Sequence, residues 1–387
     1  MSFSKLKEYL DSLEERYGIP GCDCTIRYKH EEVFRHHAGY ADSARTKPVS
    51  SDDLYFVYSA TKVITCTAVL QLIERGKLLL TDHLSQYLPE FADMRVLCDM
   101  PAANSPMPMA AETKPAENKI RIIDLLSMTA GLSYDIETAP IRQLQKESGK
   151  QASTREVMKA IAQSPLLFEP GTHWAYSLAH DVLAAVVEVV SGQKFSAYLA
   201  DNVFVPLGMK DAYFRLTDDN RSRLATQYEV NPRTEKVTVI PPKNRFCMTD
   251  PFESGGAGLI CSVDAYAAFV DAMCNDGVGA SGNRILSRSS IDLMRRNHLQ
   301  GAALEEFAKC GKTGYGYGLG VRTLINKKAS RSPLGEFGWD GADGAYLLID
   351  PEHHLGIFYA QHVWGCANAF AYVHPAIRDM AYDAIGL

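Results

Sequence analysis

A serine and a lysine stand three positions apart in Ser59-Ala60-Thr61-Lys62, where the pattern predicts the first turn of a buried helix. Residues at i and i+3 share one helix face, so the hydroxyl and the amine can meet without any long-range contact. A serine hydroxyl is a weak nucleophile until a neighbour takes its proton. The N-terminal end of a helix also supplies positive potential where an alkoxide or oxyanion forms. We therefore predict that Ser59 is a catalytic nucleophile and that Lys62 assists its deprotonation.

The spacing alone is not selective, because Ser-x-x-Lys also occurs at Ser2/Lys5, Ser4/Lys7 and Ser191/Lys194. The first two pairs lie at the chain start, and Ser191 precedes Gly192 at a predicted helix end. Only Ser59 opens a helix, in which apolar residues follow the spacing of a packed face: Val63, Cys66, Leu70 and Ile73. A simpler interpretation makes Ser59 an N-cap and Lys62 a solvated side chain. A capping serine, however, prefers Glu or Gln three residues later.

Such a pair needs a proton relay. The segment from Glu169 to Leu178 begins with a Pro-Gly turn signal and continues into His173-Trp174-Ala175-Tyr176. A lysine ammonium beside a tyrosine favours the phenolate, because an opposite charge lowers the pKa. We predict that Tyr176 acts as general base toward Ser59 and as general acid toward the leaving group.

An oxyanion site is the second requirement. The stretch from Phe337 to Gly344 holds three glycines that mark close approach of another backbone or a ligand. We expect an edge strand here to lie beside the nucleophile. Its Ala342 N–H and the N–H of Ser59 are the predicted oxyanion donors.

The elements that position these groups follow the order strands, helices, strands, helix. An amphipathic first helix carries Leu6, Leu10, Leu13 and Tyr17, and residues 59 to about 210 are mostly helical in pattern. The predicted strands are Cys22 to Tyr28 and Val33 to Gly39, joined through His30-Glu31-Glu32, then Tyr315 to Leu324, Phe337 to Ile349 and Leu355 to His362, before a closing helix from Tyr372 to Ile385. The order predicts an α/β (α+β) fold, with an antiparallel sheet flanked by helices and an inserted all-α domain. We place the sheet domain at residues 1–58 and 215–387 and the helical domain at 59–214.

The composition limits the kinds of partner that the protein is expected to bind. The 387 residues are 46% hydrophobic and 22% charged with a net charge of −6, and no basic stripe favours nucleic acid. No apolar run reaches the roughly 18 residues of a membrane span. Nine scattered cysteines and an N-terminus without an apolar signal region lead us to expect a cytoplasmic protein with reduced thiols. A metal site near Cys22, Cys24 and the histidines at 30, 36 and 37 is the weaker interpretation, so no metal and no cofactor are predicted. The oligomeric state stays open, with a homo-oligomer as one expectation.

These motifs resemble, in order, those of the serine β-lactamase and penicillin-recognising superfamily, and within it the class C-like proteins and family VIII carboxylesterases. The likeness covers roughly residues 10 to 385. Besides Ser59-x-x-Lys62 and Tyr176-Ser177-Leu178, the similar segments are 75–90, Leu125–Leu132, Gly255–Leu259 and Trp339-Asp340-Gly341. The resemblance implies a β-lactamase/transpeptidase-like fold and acyl-enzyme chemistry at Ser59.

Two departures from the lactamase pattern bear on the substrate. Leu178 stands where β-lactam hydrolases have the asparagine of Tyr-x-Asn, and Trp339-Asp340-Gly341 stands where they have Lys-Thr-Gly. Loss of a charge-assisted contact forfeits about 1.5–3 kcal/mol, and we expect Asp340 and Asp343 to repel an anion further. Trp339, Gly341 and Leu178 are thus predicted to contact a small, uncharged acyl ester. The literal triplet Lys312-Thr313-Gly314 is interpreted as a hairpin turn.

Other functions remain open at this point. A β-lactamase or D-alanyl-D-alanine carboxypeptidase-like hydrolase would take a β-lactam or peptide, and an acyltransferase of the same fold would pass the acyl group to an alcohol. A non-catalytic binding or scaffold protein is a different class, since fold does not guarantee activity. A Ser-His-Asp hydrolase is disfavoured because the chain contains no Gly-x-Ser-x-Gly.

Overall fold

The computed structural model describes residues 1–101, 111–310 and 313–387. The stretch between Pro101 and Asn118, which is rich in Pro, Ala and Met and is predicted from its weak periodicity to be a loop, lies outside the described residues at 102–110, as does Lys312 of the literal triplet. Thr113–Pro115, inside the predicted loop, form a short strand. Thr313 and Gly314, the two described residues of the triplet, form a turn before a strand, and the described element that precedes them is a helix.

The described strands and helices are grouped along the chain, with most helices in the middle and most strands near the two ends. The strands are β1 Gly21–Tyr28, β2 Glu31–Gly39, β3 Tyr55–Phe56, β4 Arg95–Leu97, β5 Thr113–Pro115, β6 Ala212–Tyr213, β7 Tyr228–Val230, β8 Val237–Val239, β9 Ile260–Cys261, β10 Tyr315–Tyr317, β11 Arg322–Leu324, β12 Phe337–Gly338, β13 Tyr346–Asp350, β14 Leu355–Gln361 and β15 Val363–Trp364. The α-helices are α1 Ser4–Asp11, α2 Leu13–Tyr17, α3 Thr61–Glu74, α4 Ile122–Leu126, α5 Ala139–Glu147, α6 Thr154–Ala162, α7 Ala179–Ser191, α8 Phe195–Leu199, α9 Val205–Leu207, α10 Asp218–Arg221, α11 Val263–Cys274, α12 Arg288–Arg295, α13 Gly301–Lys309 and α14 His374–Ile385.

The main sheet has seven strands in the order β10-β11-β12-β13-β14-β1-β2, and every neighbouring pair is antiparallel. This confirms the predicted antiparallel sheet flanked by helices. Smaller sheets are formed by β15-β7-β8, by β3-β9-β6 and by β4-β5. The short β3 matters most for the chemistry, because it leads directly into the turn that carries Ser59.

Alternating side chains of the sheet enter two cores, as the period of a strand requires. Phe358 and Ala360 of β14 face the larger core, against α11, whereas Ile357 and Tyr359 face a smaller core with α1 and α14. The larger core continues through α3, α4 and α7. Because it includes residues on both sides of the boundaries at 58 and 214, the division into a sheet domain and a helical domain stays a prediction.

The helix behind Ser59 forms as predicted, and Gly76 follows its end with a φ of 65°. All of its residues from Thr61 to Leu72 are buried, rather than one face alone. The reason is its place in the larger core, where it packs against α7 and α12. Such all-round burial identifies a central helix and leaves no solvated face for Lys62.

Several predicted boundaries were wrong. The first helix breaks at Ser12 into α1 and α2. The turn of the opening hairpin consists of Lys29 and His30, both with positive φ, so Glu31 already belongs to β2. Tyr315 to Leu324 forms β10 and β11, and Phe337 to Ile349 forms β12 and β13 around a turn, because glycines interrupt both stretches.

Among the described residues, no single helix is long and apolar enough to cross a membrane. The pair formed by Ala179–Ser191 and Phe195–Leu207 reaches the required length and composition only together, with a bend of 76° between them.

Candidate active site

Ser59 lies in a single 3-10 turn, Tyr58–Ala60, directly before α3. Its side chain caps neither that turn nor the helix, whose N-cap is Ala60. Lys62 is completely buried, and its Nζ donates hydrogen bonds to Ser59 Oγ at 3.3 Å and to the Gly256 carbonyl oxygen at 2.7 Å. The simpler interpretation of an N-cap and a solvated lysine is therefore wrong.

Tyr58, the residue before Ser59, has a strained backbone. Tyr58 has a φ of 41°, in the left-handed region that a bulky residue rarely occupies. Its hydroxyl donates a hydrogen bond to Gln227 Oε1 at 2.9 Å, and its ring packs edge-on against Trp364 at 5.3 Å. Such a conformation costs on the order of 1–3 kcal/mol and persists because the surroundings hold it. The contacts of Tyr58 thus set the direction in which Ser59 leaves the turn.

Two tyrosine rings enclose the Lys62 ammonium. Nζ lies 4.6 Å from the ring centroid of Tyr176 and 5.4 Å from that of Tyr134. The two rings are tilted against each other at 5.0 Å. Cation–π contact of this kind stabilises a buried ammonium, and within the described ranges Lys62 forms no ion pair with a carboxylate. The structure therefore brings Ser59, Lys62 and Tyr176 to one place, as the sequence predicted.

From the sequence alone, Tyr134, Trp174 and Trp364 are each equally consistent with a pocket wall and with the core, and Tyr134 is the one that reaches the Lys62 ammonium. Loss of solvent raises the pKa of the Tyr134 hydroxyl well above its usual range, Tyr176 raises this pKa further, and a hydrogen bond with Ser59 lowers it. The Leu178 N–H donates to the Ser133 carbonyl at 3.0 Å and so ties the loop of Tyr134 to the segment of Tyr176. The usable signal was its place directly after the Leu125–Leu132 motif.

Trp339 completes the wall on the side of the sheet. Its Nε1–H donates a hydrogen bond to the Tyr176 hydroxyl at 3.0 Å, and the two rings are stacked at 5.6 Å with planes 24° apart. This donor occupies one acceptor direction of the phenol oxygen, which fixes where the remaining lone pair and the proton can point.

Ala342 lies in the turn from Gly341 to Gly344 that connects β12 with β13. The prediction of an edge strand was wrong, because β12 lies between β11 and β13 in the interior of the sheet. Within the described ranges, the Ala342 N–H donates no backbone hydrogen bond. At Gly341 an added Cβ would come within 2.4 Å of the Val57 carbonyl oxygen, so only glycine lets this turn approach the nucleophile segment. The predicted pair of oxyanion donors thus belongs to two adjacent segments.

Gly256, whose carbonyl binds Lys62, is itself held through its N–H by the buried carboxyl group of Asp181. Asp181 accepts hydrogen bonds from the Ser254 hydroxyl at 2.5 Å and from the Gly256 N–H at 3.3 Å. Burial raises the pKa of Asp181, while the Ser254 hydrogen bond and Lys62 lower it. Close packing of Asp181 against Gly256 explains the glycine, since an added Cβ would lie 2.6 Å from a carboxyl oxygen.

Asp340 and Asp343 do not repel an anion as the sequence suggested. Asp340 forms an ion pair of 2.9 Å with the buried Arg322, which also donates to the Leu347 carbonyl. Asp343 is fully buried, and this burial raises its pKa well above the usual range, which favours the uncharged acid. The case for an uncharged substrate therefore depends on Trp339, which stands where the lactamase pattern has a lysine.

Leu178, Trp174 and Trp364 are held by packing contacts. Leu178 is buried and belongs to the larger core, at the N-terminal end of α7, and its contact with a substrate stays a prediction. Trp174 packs against Phe307 and Tyr317, and its ring centroid lies 6.4 Å from that of Tyr176. Trp364 packs on Tyr58, the residue before Ser59.

The histidines of the weaker metal interpretation have carboxylate partners. His30 Nδ1 lies 2.9 Å from Asp271 Oδ2, and His36 Nε2 lies 2.6 Å from Asp11 Oδ1. Within the described part of the chain, no three His, Cys, Asp or Glu side chains are grouped as a metal ion would require.

Known proteins are similar to this chain in sequence and in architecture. A family model described as Beta-lactamase matches residues 6–379. The chain belongs to the beta-lactamase family. Esterase EstB of Burkholderia gladioli is 30% identical to this beta-lactamase family chain over 369 residues, which are 90% of the chain and 87% of EstB.

Solved structures of similar proteins superpose over nearly the whole chain. "EstCE1, a hydrolase with promiscuous acyltransferase activity" is 25% identical, with a TM-score of 0.78 and 98% of both chains covered. A family VIII carboxylesterase has a TM-score of 0.73 at 20% identity, with 98% of this chain and 97% of that chain covered, and shows the shared fold. The resemblance found from the motifs is confirmed. This chain is one of an esterase-like hydrolase family with esterases and acyltransferases among its relatives.

Proposed function

We propose that this protein is a serine carboxylesterase that cleaves small, uncharged acyl esters through an acyl-Ser59 intermediate. The observation that carries the proposal is the contact between Lys62 Nζ and Ser59 Oγ in a site walled by Tyr134, Tyr176 and Trp339. A buried cation beside a hydroxyl stabilises the alkoxide, which is the activation that a serine nucleophile needs. The likeness to EstB adds support from sequence.

In the proposed reaction, Ser59 Oγ attacks the ester carbonyl carbon while its proton passes to the Tyr176 oxygen. In this step Lys62 stabilises the negative charge that lies on the Tyr176 oxygen before the proton transfer and on Ser59 Oγ during the attack. Tyr176 then returns the proton to the departing alcohol, which leaves the acyl group on Ser59. Water attacks the acyl-enzyme in a second round of the same proton transfers and releases the acid. The N–H groups of Ser59 and Ala342 bind the carbonyl oxygen when it becomes negative.

Turnover of p-nitrophenyl butyrate by the purified chain tests the proposal directly. An acyl or fluorophosphonate adduct should map to Ser59 by mass spectrometry of the digested protein. Failure of both turnover and labelling in folded protein would support the non-catalytic alternative.

A pair of tyrosine variants tests which phenol carries the proton. We expect Tyr176→Phe to lower kcat by about 10²-fold, because general acid–base catalysis contributes at least that much. Tyr134→Phe is the matched control, which keeps a ring beside Lys62 and loses only the hydroxyl near Ser59. We expect a loss of less than about tenfold for it, the size of one neutral hydrogen bond. The opposite ranking would assign the proton transfer to Tyr134.

A pair of esters tests the preference for an uncharged acyl group. We expect kcat/KM for p-nitrophenyl butyrate to exceed that for the p-nitrophenyl monoester of succinate by about 10- to 100-fold, since the carboxylate loses water without gaining a charged partner. The two acyl chains have the same number of carbon atoms, so size is matched. Equal turnover of the anionic ester, or efficient hydrolysis of a chromogenic cephalosporin, would favour the β-lactamase alternative.

Acyl transfer is a second candidate, supported by the likeness to EstCE1, a hydrolase with promiscuous acyltransferase activity. Addition of a small alcohol to the esterase assay decides between the two activities. A transferase forms mainly the new ester at alcohol concentrations far below that of water, whereas a hydrolase forms mainly the acid.

A further inference from the structure

The two predicted oxyanion donors belong to segments that are distant in the sequence. The Ser59 N–H follows β3, and the Ala342 N–H lies in the Gly341–Gly344 turn. Two donors stabilise one oxygen only if their mutual distance is fixed before the reaction. A contact between these two segments is therefore needed to fix the distance between the two donors.

A buried imidazole, that of His362, lies between the two segments. Its Nδ1 donates a hydrogen bond to the Ala225 carbonyl at 2.8 Å, and its Nε2 accepts one from the Phe56 N–H at 3.3 Å. On the other side, Asp343 Oδ2 lies 3.4 Å from the same Nε2. His362 thus contacts the strand that leads to Ser59 and the residue that follows Ala342.

The Asp343 side chain has no hydrogen bond to offset its burial. It is 0% exposed, and within the described ranges neither carboxyl oxygen makes a hydrogen bond, although Oδ2 approaches His362 Nε2 to 3.4 Å. Its backbone carbonyl accepts a hydrogen bond from the Val363 N–H at 3.0 Å, which fixes the turn to the residue after His362. A buried carboxyl group without a partner costs free energy, so this contact favours one position of the turn.

The proton in this contact belongs to the acid. Because Nδ1 faces a carbonyl, it carries hydrogen, and Nε2 accepts from Phe56; a charged carboxylate would face its lone pair. Burial lowers the pKa of His362 to about 4 and raises that of Asp343 well above its usual range. Arg245 lowers the pKa of Asp343 and Glu229 raises it, both with smaller effects than burial. An uncharged acid beside an uncharged imidazole is consistent with each of these contacts, since the single Nε2 lone pair already accepts from the Phe56 N–H.

We propose that Asp343 and His362 are positioning residues that lock the Ala342 turn against the segment of Ser59 and so fix the distance between the two oxyanion donors. The proposal rests on the proposed function, because it assigns these residues to the oxyanion site of that reaction. Neither side chain touches the substrate.

Variants of Asp343 test the lock in the full chain, with p-nitrophenyl butyrate turnover and inhibition by butylboronic acid, which forms a tetrahedral adduct on serine. We expect Asp343→Ala to lower kcat and boronate affinity together by roughly 10- to 100-fold, since a displaced donor loses most of its stabilisation. KM should stay within about threefold. Asp343→Asn should stay close to the native enzyme, because the amide is uncharged and has nearly the same size and shape as the uncharged acid.

Asp350→Ala is the matched control. Asp350 is also fully buried and lies 2.8 Å from a histidine, His353, at the far end of β13. We expect it to lower the melting temperature without weakening boronate binding. If Asp343→Ala does not fold by circular dichroism, His362→Gln takes its place with the same expectation.

Unchanged kcat and boronate affinity in Asp343→Ala, or an equal loss of affinity in Asp350→Ala, would overturn the lock while leaving the esterase proposal intact. A native chain that neither hydrolyses the ester nor binds the boronate would overturn both. Loss in Asp343→Asn as large as in Asp343→Ala would show that a charged carboxylate is needed and would contradict the neutral contact argued above.

Discussion

Replacing Ser59 by alanine is expected to reduce kcat for p-nitrophenyl butyrate by roughly 10⁴-fold or more, since the variant has no atom on which to form the acyl intermediate. The change removes one oxygen from a side chain that is only 6% exposed and that caps no helix, so stability should change little. Steady-state kinetics with the aryl ester measure the loss, and circular dichroism confirms the fold.

The chain supplies a matched control in Ser191→Ala. Ser191 belongs to another Ser-x-x-Lys sequence, but its hydroxyl donates to the Val187 carbonyl in the last turn of α7. We expect full activity from this variant. Activity retained in Ser59→Ala would exclude the acyl-Ser59 mechanism altogether.

Lys62→Met is expected to lower kcat by about 10³-fold, within the range that acid–base catalysis supplies. Methionine has nearly the same length, so it fills the buried space beside Tyr134 and Tyr176 without providing a charge. The Gly256 carbonyl loses its donor, and we expect a cost in unfolding free energy of about 1–3 kcal/mol. Urea unfolding separates this cost from the kinetic effect.

The exposed Lys194, the partner of Ser191 in the sequence motif, provides the control variant Lys194→Met. It should match the native enzyme in both stability and kcat. A Lys62→Met variant that kept more than a tenth of the native kcat would mean that another group activates Ser59.

The reactive pair was predictable because its geometry is local. The i, i+3 spacing and the apolar pattern behind Ser59 were enough to place Lys62 beside the hydroxyl. The order of elements also predicted the antiparallel sheet. Helix burial on all sides could not be predicted from one apolar face, since it depends on what packs against α3.

The contacts that were missed depend on register between distant segments. Arg322 pairs with Asp340 because β11 and β12 are neighbours, and nothing in the local sequence reports that pairing. Tyr134 reaches Ser59 from a loop whose path is set by hydrogen bonds to the Tyr176 segment. The Gly341–Gly344 turn looked like part of a strand because apolar residues flank its glycines.

The place of Ser59 and Lys62 at the start of α3 has a consequence for redesign. The two residues are three positions apart, so their separation does not depend on how distant segments pack, whereas Tyr176, Trp339 and the Ala342 turn come from other parts of the chain. An exchange of loops between family members therefore preserves the serine–lysine pair, but it must also keep the backbone positions of these three partners.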